Sequence, residues 1–193
     1  MVQIDDGTGT GRKTEVDTDN HLHTRAVDES LEHYVNATKQ EAYHIVFACS
    51  GVLPGAPFIY IQNNDDDLNL VIEGVKLHTE CSPVIDHVAN PTVGTITGAL
   101  VTPAIVNIGA GNIADGDFYI CQSGCVSGVI GGTVIDRTFI CSGCNETNYN
   151  YEMDVVLSEN QRWALFMNST TCSGCNIAGT IPVYYSRKNI HVV

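Results

Sequence analysis

One five-residue word occurs twice in this chain, and it constrains everything around it: Cys141-Ser142-Gly143-Cys144-Asn145 and Cys172-Ser173-Gly174-Cys175-Asn176. Between the copies, Tyr149, Tyr151, Met153, Val155 and Leu157 alternate with polar or smaller residues. That period of two suits a half-buried strand. A polar turn, Ser158-Glu159-Asn160-Gln161, precedes a second apolar run from Trp163 to Met167. If the two runs are antiparallel neighbours, both CSGCN turns lie at one end of a sheet and four thiols converge.

Four thiols from two C-x-x-C turns form the ligand set of a structural zinc site. Zinc takes four ligands in a tetrahedron, and a two-residue spacer lets one tight turn supply two of them. The glycine after each serine supplies a permissive backbone. The candidate ligands are Cys141, Cys144, Cys172 and Cys175, in the pattern C-x2-C-x27-C-x2-C, somewhat longer than common zinc spacings. The same cysteines can instead form disulfides, within or between the turns, or stay as free thiols. A thioredoxin-like dithiol is disfavoured, because there the C-x-x-C opens a helix, whereas here strands and polar turns follow.

Among the other cysteines, Cys49 and Cys81 stand alone near strand ends. They read as small buried apolar residues, with a Cys49–Cys81 bridge as the alternative. Cys121 and Cys125 flank a three-residue spacer; they could face a symmetry mate, complete a metal site or join each other.

The chain has 193 residues, which points to one domain, or one domain with an arm. Charged residues are only 16%, and glycine is abundant at 18 residues, a balance that favours strands and turns. With a formal net charge of −13 there is little to neutralise phosphates, so a nucleic-acid role is disfavoured. No apolar run reaches the ~18 residues of a membrane span. The start Met1-Val2-Gln3-Ile4-Asp5-Asp6 lacks the apolar core of a signal peptide. Synthesis in a cytosol, where thiols stay reduced, is therefore expected. The sequons at Asn36, Asn145 and Asn168 then read as chance.

Residues 1–40 differ from the rest. The stretch Asp5-Asp6-Gly7-Thr8-Gly9-Thr10-Gly11 is polar and glycine-rich, and such sequence cannot order itself by burial. The segment reads as an extended arm lying on a neighbouring subunit or another protein, with a plain tail as the alternative. His21 and His23 fall within it and suit a solvated or interfacial role better than metal binding.

From Tyr43 onward short strands recur with a turn signal about every 10 residues, as in an all-β sandwich or barrel. Phe58–Gln62 and Leu68–Leu77 flank the cluster Asn63-Asn64-Asp65-Asp66-Asp67 and read as a hairpin. The cluster lacks the glycine and terminal glutamate of an EF-hand and is read as turn chemistry. No nucleophile elbow, P-loop, H-E-x-x-H or dinucleotide fingerprint occurs, and no carboxylate pair is marked as a glycosidase site. A catalytic role is not expected.

Several segments resemble virion structural proteins of tailed bacteriophages, of the head-decoration and head-fibre type. They are Asp6-Gly7-Thr8-Gly9-Thr10-Gly11 with Val16-Asp17, Asn20 and Leu22-His23-Thr24-Arg25-Ala26-Val27; Tyr60-Ile61-Gln62-Asn63-Asn64-Asp65 with Leu70-Val71-Ile72-Glu73; Val101-Thr102-Pro103-Ala104; and Gly131-Gly132-Thr133-Val134-Ile135. The cysteine turns depart from that pattern. The resemblance implies a β-sandwich or jelly roll displayed on the capsid, often as a homotrimer, without catalytic residues. The expectation is thus an all-β chain: an antiparallel, jelly-roll-like β-sandwich over 41–193, with an extended attachment arm over 1–40. Its expected partner is the major capsid protein or another virion protein, with no nucleic acid and no membrane. Its expected place is the virion, after synthesis in the host cytoplasm. The competing function is a tail or fibre protein that binds a host-surface receptor or glycan.

Overall fold

The computed structural model describes residues 4–5, 13–14, 41–106, 112–140, 148–171 and 173–187. The chain divides into two units, Met1–Ser30 and Leu31–Val193. In the first, β1 (Ile4–Asp5) and β2 (Lys13–Thr14) pair antiparallel. The expectations for His21, His23, Asn36 and most of the arm lie outside the described residues.

Apolar periodicity decides the second unit. In β3 (Ala42–Val52), Tyr43, Ile45, Phe47 and Cys49 are buried, while Val46, Ala48 and Ser50 face outward. The side chains stand on opposite faces of a pleated strand, so a period of two buries one face. β4 (Pro57–Asn63) and β14 (Arg162–Ser169) behave differently. Phe58, Ile59, Tyr60 and Ile61, like Trp163, Ala164 and Leu165, are all buried on both faces. Continuous apolar runs of this length are what strands need when both faces are covered.

Eight long strands carry the architecture: β3, β4, β5 (Leu68–Thr79), β6 (Val84–Ala89), β12 (Thr133–Phe139), β13 (Asn148–Leu157), β14 and β15 (Cys175–Arg187). The first, eighth, third and sixth of these form β3-β15-β5-β13 in one sheet. The second, seventh, fourth and fifth form β4-β14-β6-β12 in the other. Every pairing is antiparallel. This interleaving is the two-Greek-key topology of a jelly roll, and the described residues contain no helix.

The excursion between β6 and β12 adds β7 (Thr92–Thr97), β8 (Ala99–Leu100), β9 (Ala104–Ile105), β10 (Gly116–Ile120) and β11 (Ser127–Ile130). β10 pairs with β4 and extends one sheet, β9 pairs with β3 and extends the other, and β7 and β11 pair with each other. The insertion therefore reaches both sheets along their shared β3/β4 side. At the far end of β3, Ala42 pairs with Tyr184 of β15, so the body's first and last strands begin and end side by side.

Two sequence expectations change in detail. The runs on either side of Asn63 are not a hairpin: β4 and β5 belong to different sheets. Asn63 is fully buried, and its Nδ2 donates to Leu68 O and Leu157 O, both at 2.9 Å. Those bonds fold the chain across from one layer to the other instead of back along the same layer. The turn reading of the cluster holds, since Asp65 Oδ1 accepts from the amides of Asp67 and Leu68 at 2.8 and 2.7 Å. Likewise β13 and β14 run antiparallel but in opposite sheets: β13 pairs with β5, β14 with β4 and β6.

Candidate functional site

Five described cysteines gather at the end of the sandwich where β3 and β5 finish and β15 begins. The register fixes three of the positions: Cys175 lies opposite Val52, and Ile177 lies between Cys49 on one side and Thr79 on the other. Thr79 is buried and serves two neighbours. Its Oγ1 is 3.1 Å from Cys175 Sγ and accepts from the Cys81 amide at 3.2 Å. Cys81 is disulfide-bonded, and its Sγ lies 4.0 Å from Gly174 O.

A second cluster adjoins the first through β3. Phe58 O accepts from the Cys121 amide at 2.9 Å and from Cys49 Sγ at 3.8 Å. Cys49 Sγ and the Cys121 amide thus meet at the same backbone oxygen. Both are buried, and burial pushes both thiols up from their ordinary range. Cys125 is exposed. The loop carrying Cys121 and Cys125 is clamped onto Ser50, whose Oγ donates to Gln122 O at 3.1 Å and whose carbonyl accepts from the Gly124 amide at 2.9 Å. Gly124 has φ +85°, a left-handed backbone that glycine adopts without a Cβ clash.

Cys49, Cys121, Cys125 and Cys175 are free thiols. The alternative of a Cys49–Cys81 bridge is therefore excluded, both residues being buried as expected, and Cys121 and Cys125 are not joined to each other. The thiol facing Cys49 is Cys121, which follows from the β10–β4 pairing and has no local signature in sequence. Of the four candidate zinc ligands, Cys175 is described: it is fully buried, against Thr79. Cys141, Cys144 and Cys172 lie outside the described residues, as does Asn145. The chain on either side of them is placed, however. Ile140 donates to Pro83 O at 3.0 Å, Asn148 pairs with His78, and the Ser82 amide donates to Thr171 Oγ1 at 3.4 Å. Residues 140, 148 and 171 thus sit at the same rim as Cys81. Among the described residues, no group of three or more His, Cys, Asp or Glu is placed to hold a metal ion.

Comparison with known protein families, characterised proteins and solved structures gave no match. Function must be read from the geometry itself.

One further polar cluster lies within the sandwich, centred on β6. Asp86 accepts from Arg137 Nε at 2.5 Å and Nη2 at 2.9 Å, and from Asn168 Nδ2 at 2.8 Å. The Arg137 hydrogen bonds hold its carboxyl below the usual carboxylate range. Its neighbour His87 is 1% exposed, bonded through Nε2 to Thr138 Oγ1 at 2.9 Å. The ring lies between those of Tyr151 and Trp163, at centroid distances of 5.0 and 5.8 Å. Burial drives the imidazole down to about 4, against the opposing pull of Asp136 and Asp86. His87 Nδ1 and Trp163 Nε1 are both buried without a hydrogen-bond partner. A lone histidine in an apolar run gave no sequence signal for this arrangement.

Proposed function

We propose that this protein is a non-enzymatic structural component of a tailed-bacteriophage virion, a capsid decoration or cement protein attached to the head shell through residues 1–40. The observation that carries the reading is the jelly-roll strand order, an architecture recurrent in capsid and lectin domains. A fold alone hosts many functions, so the reading also leans on the N-terminal resemblance and on the acidity of the chain. A surface protein that touches a protein shell, and not the packaged genome, tolerates a net charge of −13. A homotrimer on the shell is the assembly this reading implies.

The cysteine rim serves as the staple of a particle that leaves the reducing cytosol. Disulfides, or a four-thiolate zinc site at Cys141, Cys144, Cys172 and Cys175, would each serve that purpose. Cys49, Cys121, Cys125 and Cys175 are free thiols, whereas Cys81 is disulfide-bonded.

The test mixes shells of the encoding phage, stripped of this protein, with the full chain or with a chain lacking residues 1–40. Co-sedimentation of the full chain alone is expected. Failure of the full chain to bind shells refutes the proposal, and a positive glycan-array signal in its place supports the host-surface fibre reading.

A further inference from the structure

We propose that Cys125, Cys121 and Cys49 form a thiol–disulfide relay, in which an exposed cysteine takes oxidising equivalents from a low-molecular-weight disulfide and passes them inward to a bond between the two sheets. The inference concerns three described residues and stands whether or not the protein belongs to a virion.

Topology makes the end product meaningful. Cys49 belongs to β3 in one sheet, and Cys121 follows directly on β10, which extends the other. A Cys49–Cys121 bond would therefore tie the layers together on the side that the β6–β12 insertion covers. One backbone oxygen, Phe58 O, serves both residues: it accepts from the Cys121 amide at 2.9 Å and lies 3.8 Å from Cys49 Sγ. Neither can be reached by a reagent from solvent, because both are buried: Cys49 is 3% exposed and Cys121 0%.

Cys125 supplies the access. It is exposed, and the loop that holds it returns to β4 at once: Cys121 N bonds to Phe58 O, and Val126 N bonds to the preceding carbonyl, Pro57 O, at 2.8 Å. Pinning the loop ends to consecutive carbonyls keeps Cys125 close to Cys121. Thiolate fraction and exposure together set exchange rates, and among these three cysteines only Cys125 meets solvent.

The chemistry balances in three exchanges with glutathione disulfide. The Cys125 thiolate attacks one sulfur of the reagent, forming a Cys125–glutathione mixed disulfide and releasing one glutathione thiolate. Cys121 gives up its proton and attacks the Cys125 sulfur, forming Cys121–Cys125 and releasing the second glutathione. Cys49 then attacks the Cys121 sulfur, forming Cys49–Cys121 and returning Cys125 to the thiol. In sum, two protein thiols are oxidised to one disulfide, and one glutathione disulfide is reduced to two thiols.

The experiment treats the full chain, without prior reduction, with glutathione disulfide, quenches aliquots by alkylation and maps cross-linked peptides by mass spectrometry. Wild type should accumulate the 49–121 peptide pair, and its melting temperature should rise by roughly 10 °C for a loop of this length. Cys125→Ser should reach the same product at a rate roughly tenfold lower or less. Cys49→Ser should stop at the 121–125 pair. Folded wild type that never yields the 49–121 pair overturns the proposal. A Cys125→Ser rate equal to wild type overturns the relay. Both decisive measurements use chains in which Cys49 and Cys121 are intact, so loss of folding in Cys49→Ser does not affect them.

Discussion

Acid should loosen this sandwich through His87. The ring is 1% exposed and its imidazole is held down to about 4, against an ordinary value near 6.5. Its Nε2 faces Thr138 Oγ1, and a proton on Nδ1 would place a second N–H where no acceptor waits. The sign follows from proton counting. As pH falls through 6.5 the unfolded chain protonates this histidine, while the folded chain resists until about 4. The unfolded state therefore binds more protons across that window, and stability declines with falling pH. Each pH unit of displacement is worth about 1.4 kcal/mol, so the full loss is about 3 kcal/mol, with about 2 kcal/mol already gone at pH 5. Asp86 acts in the same direction at lower pH, because Arg137 keeps its carboxyl depressed and that contribution fades as the carboxyl protonates. The assay is urea unfolding at pH 7 and pH 5 of wild type and His87→Gln, a neutral side chain that does not titrate. Other carboxylates contribute equally to both proteins, so the difference between their pH dependences isolates His87. Wild type should lose about 2 kcal/mol more than the variant between those pH values. Equal losses would show that the buried imidazole is not the acid-sensitive group.

Two substitutions probe how the layers are joined and packed. Asn63→Ala removes the donor to Leu68 O and Leu157 O, and leaving carbonyls unpaired at a buried crossing should lower stability by about 3 kcal/mol, read from the urea midpoint at unchanged slope. A loss below about 1 kcal/mol would mean that the crossing is held by other groups. Gly179→Ala places a Cβ against Lys76 O and the ring of Phe47 on β15, a strand paired on both sides. The overpacking should cost about 2 kcal/mol or more, a fall in melting temperature of roughly 4–8 °C by calorimetry. An unchanged melting temperature would refute the close approach.

What sequence made legible was periodicity. In β13, Tyr149, Tyr151, Met153 and Val155 are half-buried and Leu157 is buried, while Asn150, Glu152, Asp154 and Val156 are exposed, as the alternation predicts. The continuous runs Phe58–Ile61 and Trp163–Leu165 likewise became strands covered on both faces. Sheet membership was not legible. A polar turn after a strand reads the same whether it folds back in the layer or crosses to the other one, and here one buried amide, Asn63, decides. The thiol pair was hidden for a related reason. Cys49 and Cys121 are 72 positions apart, a separation shared by Ser50 and Gln122, and they meet only because β10 adds to β4 beside β3. His87 was equally silent, since nothing local distinguishes it within Val84–Ala89.

The adjacency of β3 and β15 bears on how the body would respond to force. Ala42 pairs with Tyr184, and the Tyr185 amide donates to Glu41 O at 3.0 Å. Traction applied at both of these strand ends loads the ladder from its open end, so the bonds between β3 and β15 break in succession, rung after rung, like a zipper. Traction applied at Ala42 and at the opposite rim would instead load many rungs together in shear. A body tethered through one terminus alone escapes the weaker of these two directions.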